Sequence, residues 1–290
     1  MCSTCQSTYQ YTPADEAFFK RLQVPAPTEC PDCIFRHLYA FRNEKTLHHR
    51  ACGLCGKDTL AMFSPSSPHT VYCVACWKGD GWDPMRFGDG FDVAKSFFTQ
   101  FHELWKRVPQ IALFQVGDNP NCAYANYMIG CRGVYLAFST IESENVLYSR
   151  TTDHARDVCD GVDTYGGELL YGCTDTEKCF ASSYLDRCVE MTDSVACMDS
   201  VGCSNCFGSA NLKHKKYYWL GEQLGEEVWK SKFQEWTRGS REKQAELLAQ
   251  ARAHVNAAPK RYAWIMRSDD STGDHIQNCK NCKMSFGGSG

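Results

Sequence analysis

The sequence predicts a mainly β chain with helical insertions, and three observations point to it. Four Cys-x-x-Cys pairs, Cys2/Cys5, Cys30/Cys33, Cys52/Cys55 and Cys73/Cys76, crowd the N-terminal part of the chain. Residues 121–225 lack helical periodicity and align with themselves at about 22–23 residues, a period that signals stacked supersecondary units. Apolar side chains return to a spacing of three and four in two runs between Glu222 and Val255. Two N-terminal zinc ribbons at 1–88, a connecting amphipathic helix at 89–110 and a β-solenoid at 111–290 satisfy all three, with a helical insertion at about 222–258.

The ribbons follow from ligand chemistry. Zn²⁺ takes four thiolates in a tetrahedron, and two residues between cysteines let a tight knuckle aim both sulfurs at one ion. Twenty-four residues separate Cys5 from Cys30 and seventeen separate Cys55 from Cys73, both suited to ribbon arms. The expected ligand sets are Cys2, Cys5, Cys30 and Cys33 on one ion, and Cys52, Cys55, Cys73 and Cys76 on a second. Gly53 and Gly56 sit where a knuckle needs positive φ, and Pro31 stiffens another. A closed four-cysteine site is structural, because catalytic zinc keeps a position for water. Disulfides or free buried thiols are the competing reading. No charged n-region with an apolar h-region opens the chain, and no run of about 18 apolar residues occurs, so neither a secretion signal nor a membrane span is expected. Paired cysteines without such a signal point to a reducing, cytoplasmic compartment and to metal.

A net charge of −3 gives no global drive toward nucleic acid. Residues 118–214 carry 14 Asp and Glu against 6 Lys and Arg, whereas 215–267 carry 6 against 11, so basic character is confined to patches. One patch is the linker between cysteine pairs, where Arg36, His37, Tyr39, Arg42, Lys45, His48, His49 and Arg50 interleave with Phe35 and Phe41. Such alternation can hold phosphates and stack bases. It can equally pack the ribbons together while the charges face water. These eight residues are the candidate contacts for a nucleic-acid or protein partner.

Between the arms of the first ribbon, Thr12 is a good N-cap, Pro13 a good first helical residue, and Pro25 ends the short helix. Trp77, Trp82 and Phe87, with their glycines, read as a compact loop on the second ribbon. Phe91 to Val108 carries Phe97, Phe98, Phe101, Leu104 and Trp105 at helical spacing, stopped by Pro109, and core packing is expected of it. In the repeat each unit divides into halves of about eleven residues, with small, Cys or aromatic residues near the start of each half and Asp, Glu, Asn or Ser near its end. Its cysteines are expected to fill the interior as small hydrophobes. Cys203/Cys206 and Cys279/Cys282 are a candidate third zinc site. Gly239-Ser240 separates two helices, and the segment after Pro259 resumes the repeat before a final Gly-Gly-Ser-Gly that reads as a truncation or a linker remnant.

The run CPDC…AFRNEK…ACGLCGK…VYCVACW…GWDPMRFG…FFTQFHELWKRVP, followed by the cysteine-rich repeat, resembles an uncharacterised prokaryotic family with paired four-cysteine zinc ribbons and a cysteine-dotted β-solenoid. The resemblance covers most of the chain and implies the same eight zinc ligands. It implies no activity, substrate or partner.

Three functions compete. The first is a zinc-binding scaffold or adaptor without catalysis, which binds a protein or nucleic acid through the ribbon linker and the solenoid face, with no membrane and no small-molecule substrate. The second is a carbohydrate-active solenoid using the acidic cluster Asp153, His154, Asp157, Asp160 and Asp163. Against it, Asp favours turns, and no phosphate loop, Rossmann fingerprint or His-Glu-x-x-His occurs. The third is a thiol-rich metal or redox protein, which would need exposed thiols beside cations that the acidic repeat offers sparsely.

Overall fold

A computed structural model describes residues 1–40, 43 and 45–287 of the chain. Phe41 and Arg42, named above as linker residues, lie outside the described residues, as do Glu44 and the terminal 288–290. The chain divides into two compact units, Met1–Gln115 and Val116–Gly290.

In the first unit, helix α1 spans Pro13–Leu22 and opens on a capping box: Thr12 accepts from the Asp15 backbone while the Asp15 carboxylate accepts from Thr12. Helix α2 spans Pro31–Tyr39, so Pro31 is a first helical residue and not part of a knuckle, which corrects the expectation. Strands His48–Ala51 and Asp58–Ala61 pair antiparallel around the third cysteine pair, and Val71–Tyr72 pairs parallel with Gln110–Ile111. Helix α3 is Val74–Lys78 and helix α4 is Phe97–Arg107. The apolar core here is small, formed by Ala61, Val71 and Ala112 against Phe63. Core packing of the amphipathic helix is not found. No residue of α4 is buried, its helix starts only at Phe97, and Phe97 and Phe101 stack on each other at 5.8 Å. Apolar spacing identifies a face; it does not say what covers it.

The second unit is built from parallel ladders. One sheet runs Phe180–Ser183, Glu168–Tyr171, Arg156–Cys159, Glu144–Leu147. The other contains Asp186–Val189, Thr174–Glu177, Val162–Tyr165, Arg150–Asp153, Phe138–Ile141 and Asn126–Ile129 in that order. Successive strands along the chain alternate between the two sheets from Phe138 to Val189. Every pairing between these strands joins position i to position i + 12, as in Phe138↔Arg150, Arg150↔Val162 and Val162↔Thr174. The repeat is therefore twelve long, about half of the 22–23 residues expected from the sequence and close to its half-unit of about eleven.

Within each step every third side chain points inward: Thr140, Ser143, Val146, Ser149, Thr152, Ala155 and Val158 are all buried. The cause is a left-handed residue at every third position, as at Glu142, Asn145, Tyr148, Thr151, His154 and Asp157. A strand alternates with period two. One left-handed residue after each extended pair re-aims the chain, and the period becomes three. Gly, Asn, Asp and His tolerate that conformation best. This explains why Asp157, Asp160, Asp163, Gly166, Gly172 and Asp175 fall at such positions.

The buried serines are explained by hydrogen bonds. Ser149 donates to Leu147 O at 2.7 Å and accepts from Gly161 N at 3.0 Å, tying one step to the next. Ser143, Ser182, Ser194, Ser200 and Ser209 do the same. Buried thiols follow suit: Cys188 donates to Asp186 O and Cys197 to Val195 O. Helices α5, Glu226–Arg238, and α6, Arg241–Ala257, pack Trp229, Leu247 and Ala251 against Val195, Phe207 and Trp219. Beyond them Ile265–Met266 pairs with Ile276–Gln277 and Gly273–Asp274 with Ser285–Phe286, again parallel.

Candidate metal centres

Two cysteine sets converge in the first unit: Cys2, Cys5, Cys30 and Cys33, and Cys52, Cys55, Cys73 and Cys76, each with its sulfurs within 4.8 Å of one another. No disulfide joins them; all 19 cysteines are free. The two centres share one local plan. Cys2 N donates to Ser7 O and Gln6 N returns to Cys2 O; Cys52 N donates to Lys57 O and Gly56 N returns to Cys52 O, all at 2.9–3.1 Å. Gln6 and Gly56 occupy the matching left-handed position, with φ of 60° and 72°. Gly53 serves otherwise: its N–H donates to Val71 O at 2.8 Å, and a Cβ there would meet Thr70 Cγ2 at 2.7 Å.

The second pair of each set opens a helix. Cys30 caps α2 and Cys73 caps α3. The capping residue's own N–H donates across the centre to the first sulfur, Cys30 N to Cys2 Sγ and Cys73 N to Cys52 Sγ, both at 3.2 Å. Those sulfurs thereby accept a backbone N–H, which favours the thiolate.

The electrostatics call for a cation. A backbone hydrogen bond from Cys5 outweighs burial and, with those from Cys30 and Thr4, brings the Cys2 thiol down to about 6. Burial and the thiols of Cys5, Cys30 and Cys2 push Cys33 up to about 12. In the second set burial opposes ionisation of Cys52, but N–H groups of Cys55, Cys73 and Leu54 prevail and leave it at about 6. The neighbouring thiols of Cys73 and Cys55 push Cys76 up to about 12. One thiolate forms readily in each set and opposes ionisation of the last thiol, an opposition that a cation between them would relieve. Zn–S bonds of about 2.3 Å place tetrahedral sulfurs about 3.8 Å apart. The Cys5 and Cys30 sulfurs are 3.7 Å apart.

Supporting side chains that spacing did not reveal brace the first centre. Tyr9 packs on Cys2, Cys30 and Cys33 and donates its hydroxyl to Pro27 O at 3.0 Å, and Tyr11 donates to Glu29 O at 2.9 Å. Beside the second, Trp82 meets Tyr72 and Phe87 edge to face and Trp77 at a tilt, and its indole N–H donates to Trp77 O at 3.0 Å.

The linker candidates divide. Arg36, His37, Tyr39, Lys45 and His49 are exposed, whereas His48 and Arg50 are half-buried. His37 pairs with Glu29 at 3.1 Å and His49 with Asp58 at 2.7 Å. Arg50 donates to Ser64 O and His69 O, both at 3.0 Å, so its guanidinium clasps a loop. Beside these, α2 exposes Phe35, Leu38 and Tyr39, with Phe35 and Tyr39 rings 4.4 Å apart.

Cys203/Cys206 and Cys279/Cys282 do not form a third four-cysteine group among the described residues. Cys203 and Cys206 face into the ladders, fully buried, because they stand at inward positions three apart. The acidic cluster is likewise divided. Asp153 and Asp163 belong to strands of one sheet and Asp157 to the other. His154, Asp157, Asp160 and Asp163 are all left-handed residues. His154 is held by Glu142 at 2.8 Å and Asp153 at 2.6 Å, and Asp157 accepts from Asn145 at 2.8 Å.

No family model matches the chain, and no curated protein compared with it matches either. No described helix is long and apolar enough to cross a membrane.

Proposed function

We propose that the first unit is a zinc module holding two structural Zn²⁺ ions, and that the chain is a scaffold or adaptor without catalytic activity. The observation that carries the reading is the pair of four-sulfur sets, each within 4.8 Å and each with a backbone N–H aimed at one sulfur. Four thiolates leave zinc no position for water, so the metal orders the chain and performs no reaction. The small core of the first unit supports this, because metal binding supplies folding energy that such a core lacks.

The second unit is read as a β-solenoid in which one coil is one register step of twelve residues and carries one strand of each ladder. Two ladders that alternate along the chain and advance by the same step support it, since a coil must return each strand to the edge of an earlier one. Each coil would cover its neighbour's strand edges.

A protein partner suits the linker face better than nucleic acid. His37, His49 and Arg50 have partners within the chain, which lowers the charge free for phosphate, while Phe35, Leu38 and Tyr39 stand exposed together. Metal analysis of the purified chain tests the core of this reading: two zinc ions per chain are expected, and one after Cys33→Ser. A folded first unit without metal would overturn it. For the partner, Leu38→Glu should abolish protein capture from the native host. A low-salt shift with single-stranded or duplex nucleic acid that survives Leu38→Glu would point to nucleic acid instead.

A further inference from the structure

The second unit contains a cleft of about 760 Å³ between one flank of a parallel sheet and the returning segment that carries Trp264 and His275. Its walls carry four carboxylates, from Asp163, Asp175, Glu177 and Asp274, against one guanidinium and one imidazole. Both cationic groups are already engaged. Arg187 holds the buried Asp199 through two contacts of 3.0 and 3.2 Å and Asp186 at 3.2 Å. His275 lies 3.1 Å from Asp175 and 3.2 Å from Asp274. Glu177 is paired with Lys178 at 3.0 Å, whereas the Asp163 carboxylate has no ion-pair or hydrogen-bond partner among the described residues, so negative charge remains at Asp163. The phenol of Tyr165 senses this field: burial first, then Asp163, Asp153 and Asp175, push its ionisation upward.

Aromatic faces line the same cleft, Tyr165 on the sheet side and Trp264 on the other. The chain's own Arg261 guanidinium lies over Trp264, 5.2 Å from the ring centroid, so this indole suits a planar cation, and a partner's guanidinium must displace Arg261 there or stack on Tyr165 instead. We propose that the cleft binds an arginine side chain presented on a partner peptide. Guanidinium is planar and weakly hydrated, it stacks on aromatic rings, and its fork matches carboxylates. An ammonium is a strongly hydrated point charge that gains less from such walls. Anionic groups are repelled, and a neutral sugar can hydrogen-bond these carboxylates but forms no ion pair with them. The volume exceeds that of one side chain and admits a short stretch of peptide. The proposal concerns the second unit alone and does not depend on zinc in the first.

Titration of the full chain with a tetra-arginine peptide, followed by calorimetry in 50 mM salt, tests it. Binding is expected, weaker by about tenfold in Asp163→Asn and in Glu177→Gln, each of which loses a charge-assisted contact. It is also expected to weaken in Trp264→Leu and as salt rises. Asp163→Asn changes a side chain without partners, so its circular dichroism melt should match the parent and separate lost binding from lost fold. Absence of binding, binding unchanged in both carboxylate variants, equal affinity for tetra-lysine or spermidine, or salt-insensitive binding of an oligosaccharide at this cleft would each overturn the proposal.

Discussion

Thr152→Val and Ser149→Ala each remove one buried hydroxyl from the same stretch of chain, and they are expected to act in opposite directions. Thr140, Thr152, Thr164 and Thr176 stand in register in four successive strands, all buried, and none of their Oγ1 atoms has a hydrogen-bond partner among the described residues. A buried hydroxyl left unpaired costs about 1–3 kcal/mol. Valine keeps the branched shape that suits a strand and replaces the hydroxyl with a methyl group. Slight overpacking offsets part of the gain, so Thr152→Val should stabilise by about 1 kcal/mol. Ser149 is the opposite case. Its hydroxyl joins Leu147 O at 2.7 Å to Gly161 N at 3.0 Å. Alanine strands that buried N–H and should destabilise by about 2 kcal/mol. The separation of about 3 kcal/mol is a factor of roughly 150 in the folding equilibrium. Urea denaturation of the full chain by far-ultraviolet circular dichroism reads it: with a slope of about 1–3 kcal/mol/M, the valine variant should raise the midpoint by about 0.3–1 M and the alanine variant should lower it by about twice that. A lower midpoint for Thr152→Val would refute the reasoning, because it would mean the threonine hydroxyl has a partner whose loss outweighs the gain.

If the centres hold zinc, chelation should release it and remove amide protection across 1–115 while the ladders at 126–219 keep theirs, measured by hydrogen exchange; structural zinc supplies about 10–16 kcal/mol of folding energy in small zinc-finger peptides. Deleting residues 162–173, one full register step, should leave a cooperative β-rich fold, whereas deleting 162–172 should abolish it by turning inward side chains outward, checked by urea unfolding. The hydrogen bond to Asp153, with its charge and that of Glu142, raises His154 above its ordinary 6.5. The contribution of that pair to stability is thus complete below the unfolded value and fades as pH climbs through the raised folded value, which an imidazole proton titration by NMR should place above 6.5. Gly208 has φ +58°, and a Cβ there would meet Leu220 and Ala251 at 2.6 and 2.7 Å. Gly208→Ala should therefore cost about 1–3 kcal/mol and loosen α5 and α6, seen as a red shift in tryptophan emission.

The cysteine sets are legible in the sequence because a ligand pair is a local object. Two intervening residues decide whether two sulfurs can meet one ion, and Cys2/Cys5 and Cys52/Cys55 declare that without help from the rest of the chain. Pro31 is ambiguous at that level, since a proline after a cysteine serves a stiff turn and a helix start equally well, and only the hydrogen bonds beyond Cys33 distinguish them. The repeat length is hidden for a different reason. Inward positions recur every third residue, which matches neither the strand period of two nor the helical 3.6, so Thr140, Ser143 and Val146 look patternless until the left-handed residues between them are seen. Those residues also change the meaning of the charge. The acidic excess of 118–214 arises in good part because Asp157, Asp160, Asp163, Asp175, Asp193 and Asp199 stand where backbone geometry favours a short polar side chain. Most of that charge is a by-product of the turn chemistry, as His154 between Glu142 and Asp153 and Arg187 against Asp199 illustrate. A functional carboxylate in this unit must then be distinguished by position: Asp163 and Asp175 face a cleft with aromatic walls, whereas Asp157 accepts from Asn145.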